Sequence, residues 1–227
     1  MIPLQTLTNE TSAVLLDFDG PVCRLFAGYP APTIAGEMRN FLQSRSVTVP
    51  DRVKQDGPLT LLKWTSEGAP HLLAQVEKML CSAELEAANS AAPTPGADAV
   101  ITAAARSGRP VAIVSNNSTG AIARYLESKK ISTDVSAIVG RPFGQPDRMK
   151  PDAYPLLKAL GEVNMPPQAG LLIGDSDTDI QTAKKVGTRS LGYATRPIKF
   201  SILTEAGAEN VIDDMGALAD ALESVAR

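Results

Sequence analysis

At 227 residues, with 44% hydrophobic and 21% charged content, the chain has the make-up of a soluble globular protein able to bury a sizeable core, as one larger domain with an insertion or as two small domains. A net charge of −3 gives no sign of a nucleic-acid-binding surface. The first ten residues lack the basic region of a secretory signal, and no apolar run approaches the roughly 18 residues of a membrane span, so a cytoplasmic chain without membrane contact is expected.

The first predicted element is a strand over 13–17, in the segment AVLLDFDGP that runs from Ala13 to Pro21. Four apolar residues that end in acids read as a core strand whose carboxyl end opens into a site. Side chains alternate along a strand, so Asp17 and Asp19 leave the same face while the strand lasts. A strand followed by an ordinary acidic turn is the plain alternative, because Asp and Gly are common turn formers.

From about Arg24 to Ala92 the alternation of strands and helices stops. Segments 34–45, 59–67 and 71–88 have helical character, and proline clusters at Tyr29–Pro32, Val49–Asp51 and Ala91–Pro95 look like boundaries. Strands and helices then alternate to the end of the chain, the pattern of a parallel sheet covered by helices. Predicted strands are 111–115, 136–140, 170–174, 189–193 and 210–212, and predicted helices 96–107, 119–130, 152–161, 178–186, 198–206 and 215–225. Thr94-Pro-Gly announces the first of these helices and Gly108 stops it. A hydroxyl of Ser118 or Thr119 is expected to cap the second, and Gly187 to end the helix over 178–186. Lys129, Lys130, Lys184 and Lys185 are read as solvated helix faces.

Three of these elements end in reactive side chains. The strand over 111–115 finishes in Ser115, Asn116 and Asn117. Arg148-Met-Lys150-Pro151 places a lysine directly before a proline, which restricts its backbone to an extended or turn conformation. Leu171-Leu-Ile-Gly174-Asp175 repeats the strand-then-carboxylate pattern, with Asp177 and Asp179 following. Asp17, Asp19, Asp175 and Asp179 together demand neutralisation. Two like charges about 4 Å apart cost about 4 kcal/mol at an effective dielectric near 20, and one lysine cannot balance four carboxylates. A cation is expected, or else some of these acids hold protons.

The ordered set Asp17/Asp19, Ser115, Lys150 and Asp175/Asp179, spaced by 98, 35 and 25 residues between Asp17, Ser115, Lys150 and Asp175, resembles the four motifs of the haloacid dehalogenase superfamily. The resemblance covers about 13–214 and points to its phosphoglycolate-phosphatase and beta-phosphoglucomutase-like branch. It implies an α/β fold: a Rossmann-like core with a parallel sheet flanked by helices, formed by residues 1–23 and 93–227, and an inserted all-helical cap of type 1 at 24–92, lying as a lid over the site. It also implies an enzyme, a phosphatase that hydrolyses a small-molecule phosphate monoester with Mg²⁺. Asp17 would be the nucleophile forming an aspartyl-phosphate, and Asp19 the general acid and base. Ser115 and the Asn116 backbone N–H would hold phosphoryl oxygens, with Lys150 offsetting charge. The implied metal ligands are Asp17, the Asp19 carbonyl and Asp175, with Asp179 behind them holding a metal-bound water or Lys150.

Asp19 disfavours dehalogenase and phosphonate-hydrolase chemistry within that superfamily. A phosphomutase keeps this acid and is the enzymatic alternative. Mutases of this cap class carry a cap histidine about a dozen residues beyond the nucleophile, but Tyr29 stands there, and the only histidine is His71. A non-catalytic binding protein that retains the fold is the alternative of another class. Pro21 replaces the usual Thr after the first motif, and Cys23-Arg24 replaces the Asp-Ser of phosphoglycolate-phosphatase-like members. Arg24 becomes a candidate ligand for an acidic leaving group, whereas Arg45, Arg52, Lys54 and Lys63 read as solvated. Cys23 and Cys81 have no metal-site spacing and are expected to be free thiols.

Overall fold

The structure, a computed structural model, describes residues 1–54 and 57–224, without the side chains of Arg52 and Lys54. Among the described residues, eight strands form two sheets. They are β1 (Ala13–Leu16), β2 (Cys23–Arg24), β3 (Ala92–Pro93), β4 (Val111–Val114), β5 (Ala137–Val139), β6 (Gly170–Gly174), β7 (Arg189–Tyr193) and β8 (Asn210–Ile212). The larger sheet has the order β5-β4-β1-β6-β7-β8, and every neighbouring pair is parallel.

The helices are α1 (Leu4–Asn9), α2 (Ala31–Ser44), α3 (Asp51–Lys54), α4 (Pro58–Gly68), α5 (Leu73–Ser90), α6 (Ala97–Arg106), α7 (Thr119–Ser128), α8 (Tyr154–Glu162), α9 (Asp177–Val186), α10 (Pro197–Ala206) and α11 (Met215–Glu223). Successive strand residues feed opposite layers. Val14, Leu16, Val111, Ile113, Leu171 and Ile173 pack against α6, α7 and α11, while Leu15, Ala112, Val114 and Leu172 pack against α8 and α9. The period of two thus divides the apolar runs into two cores, one on each face of the sheet.

Residues between β2 and β3 form a third core of their own. Ile34, Met38 and Leu42 of α2 meet Leu61 and Leu62 of α4 and Val76 and Leu80 of α5. The spacing of four in α2 and in α5 puts each of those sets on one helix face. The chain enters and leaves this helical segment through β2 and β3, which pair antiparallel with Cys23 opposite Pro93 and Arg24 opposite Ala92. Each is two residues long, too short for the period-two signal on which a sequence reading depends.

The remaining departures have local causes. Helix α1 was not expected; its six residues bury only Leu7 and Thr8. The buried Arg109 donates to Thr8 O in its last turn and to Thr11 O just beyond it. Helix α8 starts two residues later than expected, after the Asp152 carboxylate accepts from Tyr154 N. The expected hydroxyl cap of α7 is absent: Ser118 occupies the N-cap position, but its Oγ is buried without a partner. Gly187 ends α9 in the left-handed conformation, as expected. The expected helix over 215–225 ends at Glu223, and its residue 225 lies outside the described residues. No helix among the described residues is long and apolar enough to cross a membrane.

Candidate active site

In the larger sheet β1 lies between β4 and β6, so the chain's course switches direction there. The carboxyl ends of strands flanking such a switch splay apart and leave a crevice. Asp17 follows β1, Ser115 follows β4 and Asp175 follows β6, and all three enter this crevice. The Asp17 N–H donates to Ile173 O at 2.9 Å, continuing the ladder one residue past β1 and fixing the base of the side chain.

Lys150 joins the motifs. Its Nζ donates to Asp17 Oδ1 at 2.9 Å, Asp179 Oδ1 at 2.5 Å and Val114 O at 2.9 Å. Burial alone would lower the pKa of this ammonium, but the two carboxylates raise it, so the lysine stays charged. Asn116 positions its backbone: the Asn116 amide accepts from Lys150 N at 2.8 Å and donates to Lys150 O at 3.1 Å. The Lys150–Pro151 peptide bond is cis. Ser115, 2% exposed, donates from Oγ to Asn117 Oδ1 at 3.1 Å and accepts from Asn117 N at 3.2 Å.

Asp17, Asp175 and Asp179 each present a carboxylate oxygen, all within 4.8 Å of one another. Hard oxygen donors in this number suit Mg²⁺. The three differ in what they have left to offer. Asp179 is fully buried and occupied on both oxygens: Oδ1 takes Lys150, and Oδ2 takes the Ser176 N–H and hydroxyl in a reciprocal cap at the start of α9. It therefore orients the lysine and the helix. Asp17 accepts from Phe18 N and Lys150 through the same oxygen, Oδ1. Asp175 pairs with Lys199 of α10. Two glycines permit this crowding. A Cβ on Gly174 would fall 2.3 Å from Asp179 Cγ, and one on Gly20, whose φ is +122°, 2.4 Å from Asp175 Cγ.

Burial pushes the Asp17 carboxyl up to about 7; Lys150 opposes the rise, and Asp179 and Asp175 add to it. Asp19 is pushed up to about 6, again mainly by burial, against the Leu25 N–H that donates to its Oδ1 at 2.8 Å. Asp19 and Asp175 line a cleft of about 770 Å³ whose lining also includes Arg24, Tyr193, Arg196 and Lys199. Helices α2 to α5 contribute none of its lining. Cys23 is buried beside Asp19, and burial raises its thiol pKa, consistent with a small apolar packing residue. His71 is exposed, as are Arg45 and Lys63, and Tyr29 donates its hydroxyl to Glu37. The side chains of Arg52 and Lys54 lie outside the described residues.

A buried polar network escaped the sequence reading. Glu84 of α5 accepts from Asn117 Nδ2 at 3.2 Å and from Ser118 N at 2.9 Å, so a carboxylate from another helix serves the N-terminus of α7. Arg141, in the loop after β5, pairs with Glu77 and Glu84 and donates to Asn116 O at 2.6 Å. Glu77 also accepts from Gly144 N. The signal was present: Glu77 and Glu84 stand seven residues apart, on the apolar stripe of α5 that includes Val76, Leu80 and Ala87. Acids on a buried face require partners.

Comparisons with known proteins agree with this architecture. The sequence profile of the haloacid dehalogenase-like hydrolase family matches residues 57–193, a span that holds Ser115, Lys150, Asp175 and Asp179 and begins after Asp17 and Asp19. A phosphoglycolate phosphatase of Rhodospirillum rubrum is 31% identical over 130 residues, covering 56% of this chain and 51% of that protein. The Escherichia coli K12 phosphoglycolate phosphatase is 36% identical over 85 residues, covering 37% of this chain and 33% of that one. The chain thus spans about half or less of the length of these curated relatives. Among solved structures, CbbY from Rhodobacter sphaeroides in complex with phosphate superposes with a TM-score of 0.65 at 18% identity, covering 92% of this chain and 99% of that one. A haloacid dehalogenase-like family hydrolase from Streptococcus pneumoniae gives 0.65 at 14% identity, covering 93% and 98%.

Proposed function

This chain belongs to the haloacid dehalogenase-like hydrolase family, and on that premise we propose that it is a Mg²⁺-dependent phosphatase hydrolysing a small-molecule phosphate monoester through an aspartyl-phosphate. The observation that carries the reading is the convergence of Asp17, Ser115, Lys150, Asp175 and Asp179 at one sheet crevice, with Lys150 bonded to both Asp17 and Asp179. The curated phosphoglycolate phosphatases support a small phosphorylated substrate. The free thiols Cys23 and Cys81 suit a reducing, cytoplasmic setting.

Asp17 attacks phosphorus through the oxygen that Lys150 and Phe18 leave unengaged, and Asp19 delivers a proton to the departing alkoxide. Asp19 then takes a proton from the water that hydrolyses the acyl phosphate. Its raised pKa, about 6, suits both roles near neutrality. Ser115 and the Asn116 N–H bind phosphoryl oxygens, and Lys150 holds Asp17 in place while offsetting its charge. Asp17, the Asp19 carbonyl and Asp175 would hold Mg²⁺, with Asp179 retaining Lys150. When bound, the ion neutralises the repulsion between phosphoryl oxygens and the attacking carboxylate.

Residues 1–23 and 93–227 constitute the catalytic core in this reading, and 24–92 the cap. The test is release of inorganic phosphate from p-nitrophenyl phosphate and from a panel of phosphorylated metabolites, with phosphorus NMR following sugar phosphates separately. Phosphate should accumulate without an isomerised sugar phosphate preceding it. The reverse order would establish a mutase instead.

A further inference from the structure

The cleft beside Asp19 has a charge pattern that phosphoryl transfer alone does not require. In a chain of net charge −3, the lining of this cleft gathers Arg24, Arg196 and Lys199. Arg24 stands on the two-residue strand β2, and Arg196 and Lys199 stand at the start of α10, so three cations far apart in sequence converge. Lys199 is paired with Asp175. Arg24 and Arg196 are both exposed and pair with no carboxylate among the described residues. The first turn of α10 holds no acid, and Arg196 makes no side-chain cap, so the partial positive charge of that helix end adds to theirs.

The phosphoryl group and the rest of the substrate have different surroundings. In the phosphatase reading Ser115, Lys150 and Asp17 surround the phosphorus and Asp19 donates the proton to the leaving oxygen; of these four, Asp19 alone lines the cleft. The leaving group must therefore extend along the cleft wall. A neutral leaving group gives two guanidinium groups nothing to bind, and a cationic one is repelled. A carboxylate or a second phosphate matches their planar donor forks.

We propose that Arg24 and Arg196, with Lys199 beside them, form a subsite for a second anionic group of the substrate, which is then a phosphomonoester bearing a carboxylate or a further phosphate. The proposal rests on the phosphatase reading above. It makes Arg196 and Lys199 specificity residues that stand outside the helical segment, whose helices α2 to α5 contribute none of the cleft's lining.

The experiment is steady-state kinetics in Mg²⁺ on p-nitrophenyl phosphate, neutral glycerol 2-phosphate, a phosphorylated 2-hydroxy acid and a diol bisphosphate. The parent protein, Arg196→Ala, Arg196→Lys and the double variant Arg24→Ala/Arg196→Ala are compared. The parent should favour at least one anionic ester over glycerol 2-phosphate in kcat/KM. In the double variant that preference should fall roughly 10- to 100-fold, mainly through KM, as expected when charged hydrogen bonds are lost. Arg196→Lys should recover part of it. Whichever anionic ester loses more identifies the carboxylate or the phosphate as the group bound. Hydrolysis of the aryl phosphate with no preference for either anionic ester overturns the subsite alone, as does an equal loss on all four substrates. Failure of the parent to hydrolyse any of them overturns the phosphatase reading and the subsite with it.

Discussion

The Arg141 guanidinium grips the Glu84 carboxylate through two nitrogens, at 3.0 and 3.2 Å, with neither side chain exposing any surface. The pair joins α5 to the loop after β5, and Glu84 passes the contact on to Asn117, which holds the Ser115 hydroxyl. A helix of the segment between β2 and β3 is thereby linked to the proposed phosphate-binding loop through two side chains.

Removing one partner of such a pair strands a buried charge, at a cost of about 3–5 kcal/mol. Glu84→Ala and Arg141→Ala are each expected to lower the free energy of unfolding by that order. Glu84→Leu/Arg141→Met should cost clearly less than the sum of the two single changes. Urea denaturation of all four proteins measures this coupling, and strict additivity would show that the pair does not act as a unit.

Asp17→Asn is expected to abolish turnover, and Asp19→Asn to slow it by roughly 10²- to 10⁴-fold, the usual worth of general acid–base assistance. Circular dichroism should show both variants folded, because neither side chain belongs to an apolar core. Near-parental turnover by Asp17→Asn would rule out the covalent route.

Chelation by EDTA should remove activity, Mg²⁺ restore it, and Ca²⁺ fail to do so. Ca²⁺ accepts six to eight oxygens and binds carboxylates through both of theirs. It would thus engage the Asp17 oxygen needed for attack. Full activity in Ca²⁺, or after exhaustive chelation, would contradict the assignment of Asp17 and Asp175 as ligands.

The raised carboxyls of Asp17, about 7, and Asp19, about 6, set a pH dependence of stability. Both lie above the ordinary value of 3.8, so between these limits the native protein holds protons that the unfolded chain has released. Their contribution is fully present below about pH 3.8 and is lost as pH rises through 6 and 7. In metal-free buffer, the Tm of Asp17→Asn minus that of the parent should therefore grow more positive from pH 5 to pH 8. Thermal melts at the two pH values decide it: a difference that shrinks over this interval would mean that Lys150, and not burial, dominates at Asp17.

What the sequence revealed was what short-range chemistry encodes. Ala13–Leu16 and Gly170–Gly174 are apolar over their whole length because both faces of the sheet are covered, and their acids follow at the strand ends. Gly20 and Gly174 stand beside crowded carboxylates, so they form part of the motifs themselves. The ion pairs were hidden. Arg141 meets Glu84 across 57 residues, and although Glu84 stands on an apolar stripe, nothing local to it names Arg141 as its partner. Arg196 and Lys199 resembled the exposed start of a helix for the same reason. The side-chain role of Asn116 was likewise missed, because its clamp on Lys150 depends on a backbone 34 residues away.

The paired strands β2 and β3 bring the chain back beside its point of departure. Neighbouring strands lie only about 4.8 Å apart, so the sheet experiences residues 25–91 as a loop whose ends are already joined. In polymer terms, the closure entropy rises by only about 0.6 kcal/mol for each doubling of such a loop. Parts of the helical segment away from Glu77 and Glu84 can therefore be lengthened or shortened with little penalty to the sheet that carries Asp17 and Asp175. The length of that segment can therefore change while the chemistry at the sheet edge stays where it is.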